Sequence, residues 1–202
     1  MSKNILDTII EYKHIEVAER KKAISISALE AMPLFEQKPA SLKASIQDIG
    51  KTGIIAEFKR QSPSKGVINA SASVEEVTKA YEKFGASGIS VLTDKEFFGG
   101  SLEDLTIAVQ RNIPVLRKEF IVDEFQIIEA KAYGASVILL IAACLSPEQV
   151  KQFANAAKSL GLEVLLELHD ATELDHICEE VDLVGINNRS LKSFEVNIEH
   201  SL

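Results

Sequence analysis

A chain of 202 residues can bury one sizeable core, and 46% apolar against 26% charged residues is a folded rather than a disordered balance. A net charge of −8 argues against nucleic acid as a general partner, because phosphate-backbone binding draws on basic surface. The N-terminus lacks a signal-peptide core and the longest apolar run, Val137 to Leu145, is too short for a bilayer, so a cytoplasmic protein without a membrane partner is expected.

Residues 1–50 read as a helical extension, with Ile5 to Arg20 amphipathic and a second helical stretch from Ser41 to Ile49, expected to cap one end of a sheet. From there, short β-branched or Leu-rich runs alternate with helical patterns. The predicted strands are Ile54–Phe58, Ile89–Thr93, Ile113–Leu116, Val137–Ile141, Val164–Leu168 and Leu183–Ile186. The predicted helices between them are Val74–Phe84, Leu102–Gln110, Glu124–Tyr133, Pro147–Leu160 and Thr172–Glu180. Ser101 and Ser146-Pro147 supply start signals; Gly85, Gly134 and Gly161 supply stops. Two similar αβ turns, Tyr81 to Ala86 and Ala132 to Ala135, hint at a repeated unit. Such alternation indicates a parallel α/β fold, either an open doubly wound sheet or a (β/α)8 barrel. No G-x-G-x-x-G follows the first strand, which weakens the dinucleotide-binding version. No linker is evident, so residues 1–202 are expected to form a single domain, 1–50 as extension and 51–202 as barrel units 1 to 6.

Period-2 alternation sorts the polar strand ends. Glu57 and Lys59 share a face of the first strand. Lys118 shares one with Leu116 and Phe120, Glu167 one with Leu165, and Asn187 and Arg189 one with Leu183 and Gly185. Each run places an apolar residue deep and a polar one at its C-terminal end, where parallel α/β folds build their active sites. Any one of these charges could be a solvated strand end or part of an ion-pair network. Six in the same parity point to acid–base work on an anionic substrate: a lysine whose pKa is lowered by desolvation and nearby cations donates protons, a carboxylate exchanges them, and Asn and Arg hold oxygen-rich groups.

Other residues are less pointed. His169 adjoins Glu167 but reads first as a hydrogen-bonded structural residue, and His14, His176 and His200 form no ligand cluster, so no metal is expected. Cys144 and Cys178 lack metal-like spacing and read as reduced core thiols. Gly99-Gly100 could cradle a phosphate but fits a tight βα connection better. Phe98 and Phe120 could wall an aromatic ligand, with core packing as the plainer reading.

Several segments together resemble the indole-3-glycerol phosphate synthase family: Ile55 to Gly66, Ser90 to Asp94, Phe97 to Gly100, Pro114 to Phe120, Leu166 to Asp170 and Gly185 to Arg189, with the N-terminal Ile5-Leu6-Asp7 helix. The resemblance implies a (β/α)8 TIM barrel with an N-terminal helical extension. It also implies a cofactor-free ring closure of 1-(2-carboxyphenylamino)-1-deoxyribulose 5-phosphate to indole-3-glycerol phosphate in tryptophan biosynthesis, with loss of CO2 and water. Lys118 is then the general acid on the ribulose carbonyl and Glu167 its partner carboxylate. Lys59 is the second acid, oriented by Glu57. Asn187 and Arg189 hold the substrate's polar groups, Ser62 helps place an anionic group, and Phe98, Phe120 and Leu139 line the anthranilate pocket. The family's barrel has eight strands, and this sequence runs through about six of its βα units. An open barrel of this kind is expected to bind phosphate weakly, turn over slowly and self-associate through its edge strands. Another phosphosugar barrel using Lys118 as a Schiff-base nucleophile, or a non-catalytic fragment, would share the fold without the chemistry.

Overall fold

The computed structural model describes residues 4–189. His200 and the terminal stretch 190–202 lie outside the described residues. The N-terminal segment folds as three helices: α1 (Ile5–Ala23), α2 (Ile26–Glu30) and α3 (Leu42–Gln47). Each begins at a side chain that accepts a hydrogen bond from a free backbone N–H, namely Asn4, Ser25 and Ser41. Helix α2 and a two-strand ribbon, β2 (Gln61–Ser62) with β3 (Gly66–Val67), are too short to leave a periodic signal, and the sequence reading lacks both.

The remaining elements follow the predicted order. Strand β1 (Ile55–Phe58) precedes the ribbon, and then come α4 (Val74–Lys83), β4 (Gly88–Leu92), α5 (Leu102–Ala108), β5 (Val115–Lys118) and α6 (Phe125–Ala132). After these come β6 (Val137–Ile141), α7 (Pro147–Ser159), β7 (Glu163–Leu168) and β8 (Leu183–Ile186). The six main strands form one all-parallel sheet in the order β1-β4-β5-β6-β7-β8, a curled, incomplete barrel. Sequential neighbours in a parallel sheet with helical crossovers define the barrel, not the doubly wound alternative, whose strand order reverses.

Strand alternation divides the apolar residues between two cores. Ile89, Val91, Val115, Ile138, Leu140, Val164 and Leu166 face outward and pack under α4 to α7. Leu116, Val137, Leu139 and Ile141 face inward with Ile55, Leu165 and Leu183. Helix α3 forms the barrel floor. Its first turn is held by Glu163, whose Oε2 accepts from the N–H groups of Leu42 (2.8 Å) and Lys43 (3.0 Å) while Oε1 accepts from Ser41 Oγ. Fully buried Leu42 then sits against Gly88, where a Cβ would collide with it.

Two predicted spans need correction. Thr172–Glu180 is not an α-helix: Ala171–His176 forms a short 3-10 turn, started by Asp170, followed by irregular chain. None of its residues is buried, so no apolar face drives it to continue. The third main strand begins and ends two residues later than expected. Pro114 precedes it with no N–H to give, and the strand continues through Arg117 and Lys118 because both charges find partners.

Candidate active site

At the C-terminal ends of the strands lies a cavity of about 460 Å³. All ten residues singled out from the sequence line it: Glu57, Lys59, Ser62, Phe98, Lys118, Phe120, Leu139, Glu167, Asn187 and Arg189. They arrive from β1, the ribbon, the β4–α5 loop, β5, β6, β7 and the chain after β8, so only the folded sheet brings them together.

Two ion pairs organise the polar side. Lys118 Nζ donates to Glu167 Oε2 at 3.0 Å, and Asn187 Nδ2 donates to the other carboxylate oxygen at 2.9 Å. The register explains the meeting, since Glu167 pairs with Gly185, two residues before Asn187. Glu167 is almost fully enclosed. Burial alone would raise its pKa, but Lys118 and Asn187 outweigh it and hold the carboxyl below its ordinary value. Lys118 keeps about a quarter of its side chain open to the cavity. The second pair is Lys59 Nζ to Glu57 Oε1 at 2.6 Å, with about a third of each side chain exposed. Tyr81 Oη steadies this strand end by donating to the Glu57 carbonyl at 2.9 Å.

The ribbon carrying Ser62 is anchored at its root. Arg60 forms a two-point salt bridge with Asp104 of α5 and lies over the Phe58 ring at 4.8 Å. Pro63, Ser64 and Lys65, at the ribbon's turn, also line the cavity. On the apolar side, Phe98 and Phe120 face each other with centroids 5.9 Å apart and a 37° tilt, above Leu139.

The weaker candidates separate cleanly. Gly99 and Gly100 give their N–H groups to the carbonyls of Lys95 and Asp94, so this loop is a tight turn and not a phosphate cradle. His169 sits behind Glu167, its Nε2 3.7 Å from Oε1. Cys144 and Cys178 are unpaired and half-buried, and burial pushes the Cys144 thiol up to about 12, which leaves little nucleophilic thiolate. Among the described residues there is no cluster of His, Cys, Asp or Glu able to hold a metal ion, and no helix long and apolar enough to cross a membrane.

Sequence reasoning missed a buried charge network beside the cavity, which Glu119 of that network helps to line. Lys13 of α1 lies among Glu16, Asp94 and Glu119, while Arg117 bridges to Glu129, which also meets Arg20. Arg117 and Glu119 have the opposite parity to Lys118. That signal was present in the sequence, but their partners on α1 and α6 were not foreseeable from spacing.

A parallel βα sheet with its acid–base groups gathered at the C-terminal strand ends defines a barrel enzyme of the TIM type. Comparison with known proteins narrows the class. The sequence profile described as indole-3-glycerol phosphate synthase matches residues 6–202, and this chain belongs to that family. An indole-3-glycerol phosphate synthase of Bacteroides thetaiotaomicron is 47% identical over 202 residues, covering 98% of this chain and 76% of the relative. Synthases of the same name from Neisseria meningitidis (42% identical; 98% of this chain, 78% of the relative) and Prochlorococcus marinus (43%; 100% and 70%) are similar throughout. Among solved structures, the carboxyl transferase domain of Rhizobium etli pyruvate carboxylase matches with a TM-score of 0.51 at 16% identity, over 72% of this chain and 29% of that one, a likeness of fold alone.

Proposed function

We propose that this chain closes the indole ring of 1-(2-carboxyphenylamino)-1-deoxyribulose 5-phosphate, acting as a carbon–carbon lyase of tryptophan biosynthesis in the cytoplasm. The observation that carries the reading is the Lys118–Glu167 pair, held by Asn187 and open to an aromatic-walled cavity. The ring carbon bearing the carboxylate attacks the ribulose carbonyl, and Lys118 gives its proton to the carbonyl oxygen as that oxygen gains charge. Glu167, ionised beside it, stabilises the cationic ring until CO2 leaves. Lys59, oriented by Glu57, protonates the new hydroxyl so that it departs as water; Glu167 takes the proton that the methylene carbon beside the nitrogen loses as the indole forms and passes it to Lys118, and water recharges Lys59. Ser62 and Arg189 hold the anionic end, and Phe98, Phe120 and Leu139 hold the ring. No step requires a cofactor.

The test is a fluorescence assay for indole-3-glycerol phosphate with this chain and with Lys118→Ala. Product from the unmutated chain and a kcat lower by on the order of 10²–10⁴-fold in the variant are expected. Unchanged turnover in Lys118→Ala would remove the acid role. We further propose that this polypeptide self-associates through β1 and β8, which each pair on one side only among the described residues.

A further inference from the structure

Helix α1 buries a stripe of Leu6, Ile9, Lys13 and Val17, and the third member is a lysine with no solvent exposure. Its Nζ lies 2.6 Å from Glu16 Oε2, 2.9 Å from Asp94 Oδ2 and 3.0 Å from Glu119 Oε1. Burial alone would lower the lysine's pKa, but Glu119 and Asp94 more than offset it and the ammonium stays charged.

Each buried acid has a second attachment, and both lead to the same place. Asp94 Oδ1 accepts from the N–H groups of Phe97 (2.7 Å) and Phe98 (3.1 Å), which sets the turn that presents the Phe98 ring. Glu119 Oε1 accepts from Phe120 N at 2.9 Å, and its Oε2 accepts from Thr93 Oγ1 at 2.7 Å. One ammonium therefore ties together the two segments that carry the facing aromatic walls, without lining the cavity itself. Holding α1 in place does not depend on it alone, because Arg20 pairs with Glu129 and Lys21 with Asp123 farther along the same helix.

We propose that Lys13 is a positioning residue for the aromatic subsite: through Asp94 and Glu119 it fixes the spacing of Phe98 and Phe120, and so sets affinity for an aromatic ring. The inference rests on the proposed reading of this cavity as the site of the carboxyphenylamino ring. A merely structural lysine would affect folding and every ligand alike. A positioning lysine affects the ring subsite and spares the anionic end at Ser62 and Arg189.

The experiment titrates anthranilate, by its own fluorescence, and inorganic phosphate, by calorimetry, into the unmutated chain and into Lys13→Met, Lys13→Arg, Asp94→Asn and Lys21→Met, with thermal melts of each. Lys13→Met should weaken anthranilate on the order of tenfold, since small displacements of a binding wall are costly, and leave phosphate within about twofold. Lys13→Arg should recover most of the loss, and Lys21→Met, which removes only a rim anchor of α1, should behave as the unmutated chain. Asp94→Asn keeps an oxygen for the Phe97 and Phe98 amides but loses the ion pair. It should weaken anthranilate selectively, and it decides the matter if Lys13→Met does not fold. Equal loss of both ligands, or no loss in a folded variant, overturns the role of Lys13. Failure of the unmutated chain to bind anthranilate overturns the reading of the cavity, and the inference with it, in a different sample.

Discussion

Glu167 makes the acid side of the site a part of the fold as well. Its carboxyl lies below the ordinary value of 4.5 because Lys118 and Asn187 outweigh burial. Its contribution is therefore complete above the unfolded value and is lost as pH falls through the lower folded value. In Lys118→Met the attraction is gone and burial prevails, so the carboxyl rises above the ordinary value and the sign reverses: the buried charge destabilises at neutral pH and acidification relieves it. Urea unfolding between pH 3 and 7 should show a loss of about 1–3 kcal/mol at pH 7 in the variant, less than for a fully buried pair because Lys118 is partly open, shrinking toward pH 4. A variant whose stability falls in parallel with the unmutated chain would refute this. At this scale the sequence was most legible, since period-2 parity places Glu57, Lys118, Glu167 and Asn187 on the inner face wherever the strands form. Lys13 was illegible for the opposite reason. A lysine on a helical stripe reads as solvent-facing, and only the meeting of α1 with the ends of β4 and β5 gives it Asp94 and Glu119.

Elements whose apolar pattern runs for a full strand or several helical turns were read correctly from sequence, because burial and periodicity agree there. The segment after β7 was not. Its Leu174 and Ile177 suggest a helix, yet both are exposed, and the His176 Nε2 contact with the Leu145 carbonyl at 2.9 Å fastens it as a turn. The β4–α5 turn offers a sharper test of element geometry. A Cβ on Gly100 would run into the backbone of Leu92 and Thr93, which cannot move aside as a side-chain tip could. Gly100→Ala should cost about 1–3 kcal/mol, as overpacking does. The strain should also displace the neighbouring Phe98, so that KM for the substrate rises more than kcat falls. A thermal melt paired with steady-state kinetics checks both, and an unshifted melting temperature would contradict the clash.

For the molecule as a whole, β1 and β8 each pair on one side only among the described residues, and the proposed self-association rests on that. Val184 and Ile186 are about half exposed on β8, as is Ile54 beside β1. Size-exclusion chromatography of this polypeptide over a range of concentrations should show mass rising with concentration, and a concentration-independent monomer would count against edge pairing. The opposite end of the barrel is closed differently, by Glu163 gripping the first turn of α3. The Leu42 bond to Glu163 spans 121 residues, a loop whose closure is entropically slow to reach. We expect a contact of such separation to form late in folding, in which case its loss is felt in the rate of leaving the native state. Stopped-flow measurements on Glu163→Gln should find unfolding faster by roughly fivefold to tenfold, as when charge-assisted hydrogen bonds are reduced to neutral ones, with refolding nearly unchanged. The floor of the barrel is then less a foundation than a latch: it governs how long the folded molecule lasts, and hardly at all how quickly it forms.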